Sequence, residues 1–153
     1  MIIVKSLRIF KVNVNVIYYI LVALMVGSSL FLGMYLGFLG LVSHQTVISI
    51  LKQSPYATIS LLISMLNLIV GYYLWMEKDV ILCNRRKCRG MLVTIGLAQA
   101  LVGNLLVVLG TIIGYVCTKN LSEISGYQMS KLKAGLVIAA YGICLMFIGL
   151  IVK

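Results

Sequence analysis

The chain has 153 residues, 62% of them hydrophobic and 10% charged, with a mean hydropathy of +1.12 and a formal net charge of +10. A soluble domain is about half apolar and about a quarter charged, so this chain has too little charge to coat a water-facing surface. Disordered chains are polar and charge-rich, and that class is excluded with it.

Three basic residues (Lys5, Arg8, Lys11) precede the first uncharged run, which covers 14–42. Its 29 residues would reach about 44 Å as a helix at ~1.5 Å per residue, against a hydrocarbon core of ~30 Å. A first span of that length must tilt, bend or emerge from the membrane, and Gly33, Gly37 and Gly40 mark the easiest bend. The run exceeds the apolar core of a signal peptide, about 7–15 residues, and reads as an uncleaved anchor.

The first outer connection, 43–55, holds a short amphipathic stretch from Thr46 to Leu51. Pro55 then opens the second span, 56–76, where its missing N–H does no harm. Glu77, Lys78 and Asp79 read as an exposed helix end, followed by the basic tract Arg85, Arg86, Lys87 and Arg89. The third span is placed at 91–116 and the fourth at 134–152, with a polar loop between them that contains the glycosylation pattern Asn120-Leu121-Ser122.

All four spans are expected to be helices, since a segment exposed to lipid must satisfy its own backbone hydrogen bonds. The runs are too long and continuous for barrel strands. The expected fold is therefore a single all-α integral membrane domain, an antiparallel bundle of four transmembrane helices.

Basic residues set the orientation. Lys5, Arg8, Lys11, Lys78, Arg85, Arg86, Lys87, Arg89 and Lys153 fall on one side of that layout; Lys52, Lys119, Lys131 and Lys133 fall on the other. Nine against four puts both termini in the cytoplasm. The charge is explained by topology, and a basic tract between two spans has no folded domain to present it to nucleic acid. It would sit at headgroup level, where anionic lipid contributes about 1 kcal/mol per basic residue.

Glycine spacing is the most informative pattern. Gly96, Gly103 and Gly110 recur every seven residues in the third run, as do Gly135, Gly142 and Gly149 in the fourth. A sevenfold repeat returns to nearly one helix face and makes a groove for a second backbone. The expectation is that these two spans pack antiparallel, with Gly103 against Gly142. Gly33 and Gly37 form a further seam on the first span.

Asn67, Gln99 and Asn104 lie at membrane depth and should point inward, because a carboxamide facing lipid is costly. Gln99 and Asn104 are five apart, about 140° around one helix, so they are not expected to share a contact. No span holds an Asp, Glu, Lys, Arg or His at depth, which argues against proton- or ion-coupled transport.

Reactive groups are few. The chain has one histidine, His44, and three carboxylates, Glu77, Asp79 and Glu123, so a histidine-based triad has no support. Cys83 and Cys88 are spaced Cys-x4-Cys, unlike the Cys-x-x-Cys of disulfide exchange. Two thiols without further ligands cannot close a zinc site; as juxtamembrane thiols they are open to S-acylation. No catalysis and no cofactor are expected.

The layout is similar to that of small tetraspan proteins, though the large cysteine-bearing loop of tetraspanins is missing. The expected function is a non-enzymatic accessory or scaffold subunit of a larger membrane complex, with the bilayer and other membrane subunits, or copies of itself, as partners. The alternatives are an oligomeric pore lined by Asn67, Gln99 and Asn104, or a small membrane immunity protein.

Overall fold

The computed structural model describes residues 13–121 and 131–151. Lys5, Arg8, Lys11, Glu123 and Lys153, which entered the expectations above, lie outside these residues. The described chain is all-helical: α1 Val14–Ser43, α2 Val47–Gln53, α3 Pro55–Leu82, α4 Arg85–Leu101, α5 Leu105–Cys117, a 3-10 turn Thr118–Asn120, and α6 Lys131–Ile151.

Three helices are long and apolar enough to cross a membrane: α1, α3 and the stretch Leu132–Leu150 of α6. The protein is thus a multi-pass membrane protein by helix length and composition. The runs expected at 14–42, 56–76 and 134–152 correspond to these helices, α3 running six residues past its expected end.

α1 holds together over its full length in spite of its glycines. Asn13 caps its start by accepting from the Asn15 N–H at 3.2 Å. It stops at His44, whose left-handed backbone (φ 52°) turns the chain while its N–H meets the Gly40 carbonyl. α2 coincides with the amphipathic stretch expected from Thr46 to Leu51; Thr46 caps it and Ile50 is its buried anchor. Ser54 then caps α3, with Pro55 in the first turn, where the ring removes only an N–H that has no intrahelical partner.

α1 and α3 form an antiparallel pair. Tyr18 Oη donates to the Leu74 carbonyl at 2.7 Å, and further along Ser29 Oγ donates to the Ser64 carbonyl at 2.8 Å. Ser64 Oγ returns a bond to the Ser29 carbonyl at 3.3 Å. Between these, Gly71 lets α3 close on α1: a Cβ there would come within 2.8 Å of Val26 Cγ2.

The third expected span is not one helix. α4 ends at Leu101 and α5 begins at Leu105, and the two fold back on each other as a hairpin. Gly103 takes φ +73° at the turn, in the left-handed region that side chains other than glycine enter at a cost of ~1–2 kcal/mol. Its N–H bonds to the Ala100 carbonyl at 3.2 Å, and the Asn104 N–H bonds to the Gln99 carbonyl at 2.9 Å. This is the Schellman pair of bonds that closes a helix on a glycine. At ~1.5 Å per residue the 17 residues of α4 and the 13 of α5 reach about 26 and 20 Å, both short of a ~30 Å core.

The hairpin changes the topology. At its open end Arg89 Nε donates to Thr118 Oγ1 at 2.9 Å, so both ends of the hairpin lie together. α6 starts at that same end, because Glu77 meets both Lys87 and Lys133 at 3.1 Å. α4 and α6 therefore run parallel, and the expected antiparallel packing of spans three and four is corrected. Gly103 is a turn residue, and a Cβ added at Gly103 or at Gly142 would meet nothing within 4 Å among the described residues.

The core is a single apolar cluster built around Leu21, Met25, Leu74, Ile81, Met91, Ile95, Val107 and Tyr141. Of the glycines expected to pack, Gly96 and Gly110 make close contacts, but with α5 and α1 and not with α6. A Cβ at Gly96 would meet Thr111 Oγ1 at 2.8 Å, and one at Gly110 would meet Leu21 Cδ2 at 2.6 Å. Gly114 touches Ile17 and Leu92. Gly33, Gly37, Gly135 and Gly149 have open space where a Cβ would stand.

Replacing Gly110 or Gly114 by Ile should overpack the α1–α5 contact, at a cost of about 1–3 kcal/mol. Gly103→Ala should cost ~1–2 kcal/mol through its positive φ. Gly142→Ile should leave the isolated chain unchanged. Reversible unfolding in mixed micelles orders the variants; an equal loss at Gly142 and Gly110 contradicts this packing.

Candidate functional site

The hairpin turn brings a polar cluster together inside the bundle. α4 delivers Gln99 two residues before its last turn ends, and the chain reversal sets Asn104 beside it: Asn104 Nδ2 donates to Gln99 Oε1 at 2.9 Å. On one continuous helix these side chains would point about 140° apart, so the expectation that they share no contact fails because the helix is broken between them. Gln99 Nε2 in turn donates to Asn67 Oδ1 at 2.8 Å. The same oxygen accepts from Tyr141 Oη of α6.

Four helices are thereby tied at one level by side-chain carboxamides and one phenol. Gln99 and Tyr141 are fully buried, and Asn67 is 5% exposed. Asn67 and Tyr141 sit at the midpoints of α3 and α6, which puts the relay at mid-depth. Tyr141 had not been singled out in the sequence. Its only signal there is a lone phenol at the centre of an apolar helix, when interfacial tyrosines belong near helix ends.

Next to this relay a groove of about 510 Å³ opens between α1, α3 and the hairpin turn. Ser29, Ser64, Asn67 and Asn104 supply polar lining, and Phe31 and Tyr35 stand among the apolar walls. The groove includes Ser60 one to two turns beyond Asn67, so it runs from mid-depth toward the α2 end. α5 starts at its edge, and Asn104, in the capping position, makes no capping bond. The first N–H of α5, that of Leu105, bonds instead to the Gly103 carbonyl at 3.0 Å.

The second cluster is the charged end. Glu77 Oε2 and Oε1 receive Lys87 and Lys133, and Lys133 also lies 3.3 Å from Tyr73 Oη. Lys78 stacks over Trp75 with its ammonium 4.9 Å from the ring centre, and Arg89 lies 5.1 Å from that of Tyr115. Of the tract expected to meet anionic lipid, Arg86, Lys87 and Arg89 already have partners. Arg86 is exposed, and Arg85 Nε is buried without a bond among the described residues.

Asn84 accepts from the Arg86 and Lys87 N–H groups, so α4 begins with three basic residues in its first turn. That is the positive end of the helix dipole, where cations are unfavourable and an anion is stabilised. Of the two thiols considered for acylation, Cys83 is exposed at the α3–α4 turn and Cys88 is buried.

No family model matches the chain, and comparison with curated proteins and with solved structures gives no match either.

Interhelical side-chain bonds in membranes average ≈ 0.6 kcal/mol, with a maximum near 1.7. Asn67→Ala removes the shared acceptor of two donors and should cost about 1–2 kcal/mol. Tyr141→Phe removes one bond and should cost about half that. The double variant should cost clearly less than the sum, since both changes cut one bond. Strict additivity in a double-mutant cycle would show that the two groups do not interact.

Proposed function

We propose that this chain is a non-enzymatic subunit that works by packing its outer helix faces against other membrane helices. The supporting observation is α6. It carries Gly135, Gly142 and Gly149 with open space over each, and 11% of its most apolar stretch is buried, against 33% in α1 and α3. Glycine costs a helix up to about 1 kcal/mol. Three on one face, with nothing over them among the described residues, fit the close backbone approach by which membrane helices associate. Gly33 and Gly37 make a second such face on α1. An oligomeric pore is the alternative, favoured by the hairpin, because non-helical backbone at membrane depth is tolerated where it is buried or lines a watery cavity.

The orientation that accompanies this reading is three crossings and one hairpin that enters and leaves on the same side. Lys78, Arg85, Arg86, Lys87, Arg89, Lys119, Lys131 and Lys133 then lie at one end of the described bundle and Lys52 at the other. Adding Lys5, Arg8 and Lys11 ahead of α1 and Lys153 after α6, the ratio is eleven to two. The positive-inside bias is thus sharper than in the four-span layout. The basic end is cytoplasmic, with the N-terminal side of α1, and α6 ends on the opposite face. Asn120 belongs to the cytoplasmic side in this orientation and its glycosylation pattern stays unused.

The basic first turn of α4, Arg85, Arg86 and Lys87, is read together with Arg89 as an anionic-lipid contact at the positive end of that helix.

Two measurements test the reading. In a cysteine-free background, a cysteine at Lys119 should label only after permeabilisation, and alkaline phosphatase fused after α6 should be active. Labelling of Lys119→Cys from outside contradicts the hairpin topology. Purification in mild detergent should recover a stoichiometric partner, and Gly142→Ile should release it with the chain's own melting unchanged. A chain that stays monomeric and partnerless at native expression contradicts the subunit reading.

A further inference from the structure

The groove between α1, α3 and the hairpin turn has a chemistry of its own. Its donors and acceptors are unequally used. Ser29 Oγ and Ser64 Oγ spend their protons on backbone carbonyls across the α1–α3 contact, which leaves their lone pairs as acceptors. Asn67 uses its oxygen twice, toward Gln99 and Tyr141. Its Nδ2 makes no bond among the described residues and is not sealed from the groove. The donor left for a ligand is therefore the Asn67 amide.

Charge is missing from the lining. Apart from the phenol of Tyr35, no lining residue is titratable. An ionised ligand at this depth would have no counter-charge, and an unpaired charge away from water is far costlier than a hydrogen-bonded neutral group. The walls are apolar, and Phe31 and Tyr35 are exposed on the outer surface of α1, so the groove is open from the side that would face lipid. A volume of about 510 Å³ lies in the range of sites that hold a small organic molecule.

From this we infer that the groove binds a neutral amphiphile, a lipid-like molecule whose hydroxyl, ester or amide head reaches the Asn67 amide while its chain lies along Phe31 and Tyr35. The head both accepts, from Asn67 Nδ2, and donates, to a serine oxygen. This site is separate from the α6 face and from the basic end.

Photolabelling tests it. The full chain in phosphatidylcholine nanodiscs is irradiated with a diazirine analogue of a monoacylglycerol, and adducts are mapped by mass spectrometry. Adducts should concentrate on 28–35 and 60–67, and unlabelled monoolein should compete them away. Oleate and oleylamine, with the same chain but a charged head, should compete about tenfold less well. Asn67→Leu should cut labelling by about tenfold, the loss of one well-made polar contact. Because that variant also disturbs the relay, Ser60→Trp serves as the second: it blocks the groove at an exposed wall position away from the relay and should abolish labelling while the melting curve is kept. Adducts spread around the lipid-facing surface, equal competition by the charged analogues, or undiminished labelling of Ser60→Trp would each overturn the proposal.

Discussion

Inside a bilayer a helix can end only where its freed backbone groups find partners, and this fold depends on how that condition is met at Val102–Asn104. Two backbone bonds across Gly103 close the end of α4. The reversed chain then places Asn104 against Gln99, and from Gln99 the relay passes to Asn67 and Tyr141. The turn is thereby anchored to α3 and α6 by the same side chains that it brings together. Without the break α4 and α5 would form one crossing, and α6 would have to begin at the opposite end of the bundle.

The charged end reinforces the arrangement by geometry more than by energy. Partly exposed ion pairs contribute little, typically below about 1 kcal/mol. Glu77 nonetheless stands where α3, α4 and α6 meet, and two cations from different helices converge on its two oxygens. Arg89 does the same for the hairpin by linking the start of α4 to Thr118 after α5. The basic residues at this end therefore register the helix ends, and their concentration there is what the proposed orientation rests on.

Glycines in this chain divide by what they face. Gly71, Gly96, Gly110 and Gly114 have neighbours so near that a methyl group would press on them. Those contacts draw α1, α3, α4 and α5 into one compact unit around Leu21 and Met25. The glycines of α6 have open space over them among the described residues, and α6 is held mainly by Tyr141, Val137 and the lysine at its start. A tight two-helix-and-hairpin unit with a more exposed last helix is the arrangement to which the subunit reading attaches.

The sequence by itself determined the membrane class, the helical content and three of the crossings. Hydropathy is a local, additive property, and about 20 apolar residues leave a chain no other option in lipid. It also marked Asn67, Gln99 and Asn104, since polar groups stand out against an apolar run, and it placed Pro55 and α2. It did not reveal the hairpin. Residues 91–116 read as continuous by hydropathy, and Gly103 fitted a sevenfold repeat as well as it fits a left-handed turn. The Gly-Asn pair at 103–104 was the one local mark of a break, and the Gly110-x3-Gly114 pair that packs on α1 was hidden behind the longer spacing. Tertiary structure decided which glycine meets a neighbour, that Gln99 and Asn104 share a bond, and that α6 runs parallel to α4. Each depends on contacts between residues distant in the chain, and spacing along one helix cannot tell a face packed by the chain itself from one left for lipid or a partner.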